Sequence, residues 1–427
     1  MSSADRAAGS DTSAAPAPVP ASPIQAVPLF DISRQHAELA AEISAALVAV
    51  CDSGKFVLGP DVVQLEATMQ RLTGAKHAVA CASGSDALLL ALMAYDIGPG
   101  DEVICPSYTF FATASAVTRL GATPVFVDIE PDTCNLDVSQ VSRRVTSMTR
   151  AIIPVHLYGQ CADMQPIVDM ARLHGLAVIE DACQAIGAGY RGKQAGAIGD
   201  IGCFSYYPTK NLGAYGDAGM LTTNDDKLAD KLRLLRGHGM QPRYYHKLVG
   251  INSRLDSLQA AVLNVKLPHL ERWTKARRTR AERYTQEFTK RGLSQFMRLP
   301  TVRGDRKHVW NQYVVHVAGG KRDALRAFLA DRKIGTEVYY PVPLHQQECY
   351  SYLGYGAGSL PYTEAAAAET VALPIFPELR DDEQQRVIDA ITEFFVGAIP
   401  PSEEKKATLA GPNFLKARDG VRSEQQR

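Results

Sequence analysis

Hydrophobic and polar positions along the chain alternate between two periods. Asp86-Ala-Leu-Leu-Leu-Ala-Leu-Met-Ala-Tyr95 is apolar all round and predicts a buried helix. The run from Asp101 to Cys105 predicts a short strand ending at Pro106, and Thr113 to Leu120 a helix stopped at Gly121. Pro124–Asp128, 150–157 and 176–180 predict three more strands. A helix from about Met164 to His174, closed by Gly175, separates the last two. Strands separated by single helices imply an α/β fold with a mostly parallel sheet covered on both faces.

The pattern changes after about residue 265. Glu271 to Lys290 predicts a long charged helix, Trp310 to Val317 an alternating strand, and Lys321 to Asp331 a helix. The expected organisation is a large domain over 27–265 and a smaller C-terminal α+β domain over 266–398. Residues 1–26 are rich in Ala, Ser and Pro and predict a disordered tail without the layout of a secretory signal. Residues 399–427 predict a polar tail.

Composition narrows the class. Formal net charge is +0, so no bulk field favours nucleic acid or an anionic membrane. No apolar run approaches the roughly 20 residues that span a bilayer. The eight cysteines show neither a CxxC pair nor a zinc spacing, which predicts reduced thiols in a cytoplasmic protein and no metal site.

The most informative stretch runs from Gly199 to Gly219. It places Lys210 in a glycine-rich loop between two apolar, strand-like runs, with Ser205 five residues earlier. Upstream, Asp181 ends another apolar run, where an unpartnered carboxylate would be costly. A lysine for an aldehyde and an acid for a pyridine nitrogen are what pyridoxal 5'-phosphate requires. A surface lysine and a helix cap are the bland alternatives. Cys81-Ala-Ser-Gly84-Ser85-Asp86 adds backbone donors and hydroxyls at a helix start, suited to a phosphate, which Ser205 would help to hold. Gln184 is placed to meet the ring's 3′ oxygen. Phe110 is the candidate for stacking on the ring, with Tyr108 as runner-up. Asn252 and Arg254 share a glycine-started loop suited to an anionic group.

These segments, with Ile152-Pro-Val-His-Leu-Tyr-Gly-Gln160 and Asn252-Ser-Arg-Leu-Asp-Ser-Leu-Gln-Ala260, resemble the DegT/DnrJ/EryC1/StrS family. The resemblance spans about residues 28 to 395. It implies an aspartate aminotransferase-like fold (pyridoxal phosphate fold type I) and a nucleotide-sugar aminotransferase. It also implies a homodimer in which Asn252 reaches the phosphate of the partner's site, and Arg254 holds the carboxylate of an amino-acid donor, usually glutamate. Tyr339, Gln160 and His246 are implied on the substrate side. Some members carry histidine in place of the lysine and act as dehydratases; Lys210 argues against that branch. Cys183 stands where the family often has alanine. The segments around Arg236–Arg254 and Tyr339–Gln347 resemble members that aminate 3-keto sugars. The rival expectations are a 4-keto-sugar or aminocyclitol aminotransferase and a regulatory protein of the same fold.

Overall fold

The computed structural model describes residues 25–397, so the expected tails over 1–24 and 398–427 lie outside the described residues. The N-terminal two thirds holds strands β1 (His77–Cys81), β2 (Glu102–Pro106), β3 (Thr123–Val127), β4 (Thr149–Ile152), β5 (Ala177–Asp181), β6 (Gly189–Tyr190), β7 (Lys193–Gln194), β8 (Ile201–Ser205) and β9 (Gly219–Thr223). Seven of them form one sheet in the order β1-β9-β8-β5-β4-β2-β3. Neighbours from β8 to β3 run parallel; β9 runs antiparallel to both β8 and β1. The sheet is therefore mostly parallel, as the βαβ spacing predicts. The exception follows from chain length: the loop from β8 to β9 holds no crossover helix, and a parallel return needs one.

Helices α1 (Ile32–Ser53), α2 (Pro60–Thr73), α3 (Gly84–Ala94), α4 (Ala112–Arg119), α5 (Val138–Val141), α6 (Met164–His174), α7 (Asp226–Leu235) and α8 (Ser257–Lys266) accompany this sheet. Buried residues divide into one cluster on each face. Leu65, Ile104, Val178 and Phe204 lie on one side, and Leu90, Val103, Ile179 and Leu221 on the other. Alternate residues of one strand thus enter opposite cores, which explains the continuous apolar runs.

Helix α9 (Leu270–Lys290) leads to β10 (Met297–Arg298), β11 (Arg306–Lys307), β12 (Tyr313–Val317), α10 (Arg322–Asp331), α11 (Pro361–Glu369), β13 (Thr370–Leu373) and α12 (Asp381–Val396). Strands β10, β12 and β13 form a small antiparallel sheet with its own apolar core. Several connections tie it to the rest, among them a shared core of Val314 and Ala372 with Tyr108 and Val155. Val27 pairs with Ile334 and packs into the small core. Leu344, Tyr350 and Leu360 return to the large core.

Two expected elements differ in detail. The 150–157 strand ends at Ile152, because Pro154 has no N–H to continue the ladder. Pairing resumes as a single bridge, with His156 N–H donating to Asp181 O at 3.0 Å. The 310–317 strand begins only at Tyr313, since Trp310 adopts φ of 52°. All five of its residues are buried, because β12 is the middle strand of its sheet.

Candidate active site

The carboxyl ends of the parallel strands open onto a cavity of about 500 Å³. Its walls bring together Gly84, Ser85, Phe110, Asp181, Gln184, Ser205, Lys210 and Tyr339. These residues come from five separate stretches of sequence. Such a position is where open α/β sheets bind ligands.

Lys210 lies in the loop from β8 to β9, and the loop's shape is enforced locally. A Cβ on Gly213 would sit 2.2 Å from Pro208 O, so that turn accepts only glycine. Asn211 Nδ2 donates to Val309 O at 2.8 Å, pinning the residue after the lysine. Lys266 Nζ donates to Gly213 O at 2.5 Å. Burial pulls the Lys210 ammonium below its ordinary value, with Cys183 and Asp181 opposing that shift. A larger share of the amine is then free to take a proton.

Asp181 closes β5 and is buried. Thr113 Oγ1 donates to its Oδ2 at 2.8 Å, and Cys183 N–H to its Oδ1 at 3.2 Å. No salt bridge to a cation neutralises it among the described residues. A protonated ring nitrogen in the cavity would give it the partner it lacks.

Behind it, Glu180 points to the opposite face of the sheet. Its carboxylate accepts from His156 Nε2 at 2.9 Å and from the N–H groups of Gly196, Ile198 and Gly199 at 2.7–2.9 Å. Ala162 N–H donates to His156 Nδ1 at 3.2 Å, so the proton of the neutral ring sits on Nε2. Burial alone would raise the Glu180 carboxyl; His156 and the amides outweigh it and hold it below its usual range. This network locks β5 and the chain after β4 beneath Asp181.

The start of α3 makes the anion cradle. Ser83 caps the helix, its Oγ accepting from Asp86 N–H at 3.1 Å. A Cβ on Gly84 would come within 2.6 Å of Ser205 Cβ and 2.9 Å of Cys183 Sγ. The cradle therefore needs glycine there. Ser83 does the capping and leaves the N-terminal amides and Ser85 for a ligand. Ser205 Oγ accepts from Tyr207 N–H at 3.3 Å and keeps its own proton to donate.

Phe110 is 60% exposed on the cavity wall, whereas Tyr108 is 1% exposed and bonds Thr370 Oγ1 at 2.7 Å. Of the two aromatics, Phe110 lines the cavity and Tyr108 does not. Gln184 Oε1 accepts from Tyr158 N–H at 2.8 Å, and its Nε2 donates to Tyr340 OH at 2.7 Å. One Nε2 proton remains.

Gln160, expected on the substrate side, does not line this cavity. It is 2% exposed, its Nε2 donating to Thr301 O and its Oε1 accepting from Arg303 N–H, each at 2.9 Å. Both ends of its amide staple a backbone segment, and it is absent from the cavity wall. Asn252, Arg254 and His246 also lie off the wall of this chain. Arg254 Nε donates to Asn252 Oδ1 at 2.9 Å, and Asn252 is exposed. His246 is exposed and bonds His238 O at 2.9 Å.

Sequence reasoning missed Thr113, Thr109, Tyr340, Gln312 and Asp217. Thr113 opens its predicted helix, but only the fold shows that it faces Asp181. Cys183 lines the cavity as a neutral thiol, its pKa raised by burial and by Asp181.

The family model of the DegT/DnrJ/EryC1/StrS aminotransferase family matches residues 37–392. The chain belongs to this family. It is an aminotransferase, and the family depends on pyridoxal phosphate. One relative, named pleiotropic regulatory protein, from Geobacillus stearothermophilus, is 51% identical over 369 residues, covering 86% of this chain and 98% of the relative. Another, from Acidithiobacillus ferrooxidans, is named UDP-N-acetyl-3-dehydro-alpha-D-glucosamine 3-aminotransferase. It is 43% identical, with 86% and 97% covered. The solved structure of Streptomyces venezuelae DesV superposes with a TM-score of 0.84 at 44% identity, covering 86% of this chain and 98% of that one.

Proposed function

We propose that this aminotransferase moves the amino group of an amino acid, glutamate, to a 3-keto sugar carried on a nucleotide. The single observation that carries the chemistry is one cavity holding Lys210, Asp181 and the Gly84–Ser85 cradle together. These residues fit the cofactor. Lys210 would hold its aldehyde and Asp181 its ring nitrogen. Gly84, Ser85 and Ser205 would hold the phosphate, Phe110 would cover the ring, and Gln184 would meet the 3′ oxygen. When bound, pyridoxal phosphate supplies a ring that draws electrons from a carbon losing its proton.

The rest falls to the chain. Lys210 Nζ takes the proton from the donor's Cα in one half-reaction. In the other it delivers a proton to the sugar carbon that bears the new nitrogen. Amine and carbonyl oxygen exchange between the two substrates, so no oxidant is consumed. Phe110 and Tyr339 line the same cavity as Lys210.

The 3-keto position is favoured by the relatives' names, which include a UDP-linked 3-aminotransferase and dTDP-3-amino-sugar transaminases. We further propose a homodimer in which Asn252 and Arg254 serve the partner's cavity. The exposure of Asn252 and the absence of both residues from the cavity of their own chain support this. A second reading, a regulator, draws on the name of the Geobacillus relative. The complete lysine, aspartate and cradle set favours the enzyme.

The test has two arms. Protein reconstituted with pyridoxal phosphate should show the visible band of a lysine-bound cofactor, and Lys210→Ala should abolish it. A panel of 3-keto and 4-keto nucleotide sugars is then incubated with glutamate and read by mass spectrometry. A band that persists without Lys210, or amination of 4-keto sugars alone, would overturn the respective half of the proposal.

A further inference from the structure

Two stretches of the cavity wall come from distant parts of the chain. Thr109 and Phe110 follow β2, and Tyr339 and Tyr340 precede the segment that returns to the large core. A buried cluster outside the cavity joins them. Leu344 N–H donates to Ser107 O at 2.9 Å, and His345 N–H donates to Ser107 Oγ at 3.0 Å. Ser107 Oγ also lies 2.7 Å from His345 Nδ1, and His345 Nε2 lies 3.2 Å from Glu364 Oε1.

Glu364 accepts from backbone N–H groups on both oxygens, so the His345 Nε2 facing it is the donor. In the neutral ring Nδ1 is then an acceptor, and Ser107 Oγ donates to it. Burial favours that neutral state by pulling the imidazole below its ordinary value, against Glu364 and Asp128. The far end is rigid too. Glu364 also accepts from Gly358 N–H at 2.8 Å and Leu360 N–H at 3.2 Å. The start of α11 is bound by Asp128, which accepts from Tyr362 and Thr363 N–H at 3.0 and 2.7 Å.

A serine, a histidine and a carboxylate in series suggest a nucleophile, but Ser107 is fully buried and no substrate reaches its Oγ. Its place in the chain suggests a different role. Ser107 is two residues from Thr109, and His345 is five from Tyr340. The relay therefore sets the spacing between the walls against which a substrate must fit.

We propose that His345 is a positioning residue for substrate binding, acting through Ser107 to hold the Thr109–Phe110 wall in register with the Tyr339–Tyr340 wall. The proposal rests on the reading that this cavity takes the keto sugar.

Three variants test it: His345→Ala, Ser107→Ala and His345→Asn, whose Oδ1 can take the place of Nδ1. KM is measured for the panel sugar that wild-type enzyme aminates fastest. Hydrogen exchange is followed at residues 107–110 and 339–345. Both alanine variants, each losing two side-chain hydrogen bonds, should raise KM at least about tenfold, with kcat nearly unchanged. Exchange should quicken in both segments, and the visible cofactor band should remain. His345→Asn should recover most of the KM and slow exchange again. Unchanged KM and unchanged exchange in folded Ser107→Ala would overturn the relay, as would an Asn variant no better than Ala. If no panel sugar reacts with wild type, the functional reading fails, while the exchange data still decide the coupling of the walls.

Discussion

At the level of single residues, the site depends on what side chains are missing as much as on what is present. Gly84 is the clearest case. Its absent Cβ leaves room for Ser205 and Cys183, and through them for the cradle at the start of α3. Gly84→Ala should cost about 1–3 kcal/mol in stability by overpacking. It should also weaken pyridoxal phosphate binding at least about tenfold, read by titrating the visible band. Lys266 makes a second residue-level prediction. It is buried, with its ammonium against Gly213 O and over the Tyr215 ring, and desolvation lowers its pKa to about 8. Glu378 opposes that shift. Its folded pKa is depressed, so its contribution to stability is full above the unfolded value, near 10.5, and lost as pH falls through about 8. Lys266→Met should therefore gain on wild type by about 3 kcal/mol more at pH 8 than at pH 10.5. Denaturant titrations at the two pH values measure this, and equal gaps would refute it.

Among the elements, β5 does the most to build the site, because adjacent carboxylates on it face opposite sides of the sheet. Asp181 enters the cavity, while Glu180 is consumed by His156 and three backbone amides. Removing Glu180 as Glu180→Ala leaves those donors buried without an acceptor and should cost about 3–5 kcal/mol. The carboxyl's folded pKa is lowered, so its contribution is full above the ordinary carboxylate range and disappears as pH falls through the folded value. Acid unfolding of wild type should thus be steeper than that of Glu180→Gln, by circular dichroism. From the sequence, Ile179-Glu-Asp181 showed two acids ending an apolar run. Strand periodicity separates their faces, but only the neighbouring 194–199 segment shows which acid is free.

For the whole molecule, a single chain builds most of a site and leaves Asn252 and Arg254 outside it. If each cavity of a dimer is completed by the partner, Lys210→Ala and Arg254→Ala should each be inactive alone. Mixed after subunit exchange, they should regain up to about a quarter of wild-type activity, since half the dimers carry one intact site of two. No recovery on mixing would count against shared sites. No helix among the described residues is long and apolar enough to cross a membrane, and all eight cysteines are free. The pattern of short apolar runs and single helices was enough to specify an α/β core, because burial on both faces of a parallel sheet is written directly as strand length and spacing. Asp181 and the Ser-Gly-Ser turn could be singled out because each sits where a local element ends, and Lys210 because it lies in a glycine-rich loop between two strands. Local pattern does not carry contacts between residues hundreds of positions apart. Gln160 looked like a site residue within its motif, yet the fold spends its amide on Thr301 and Arg303. Thr113 looked like an ordinary helical residue, yet the fold aims it at Asp181. Which hydroxyl meets which carboxylate follows from how helices pack against the sheet, and that packing is a property of the assembled molecule.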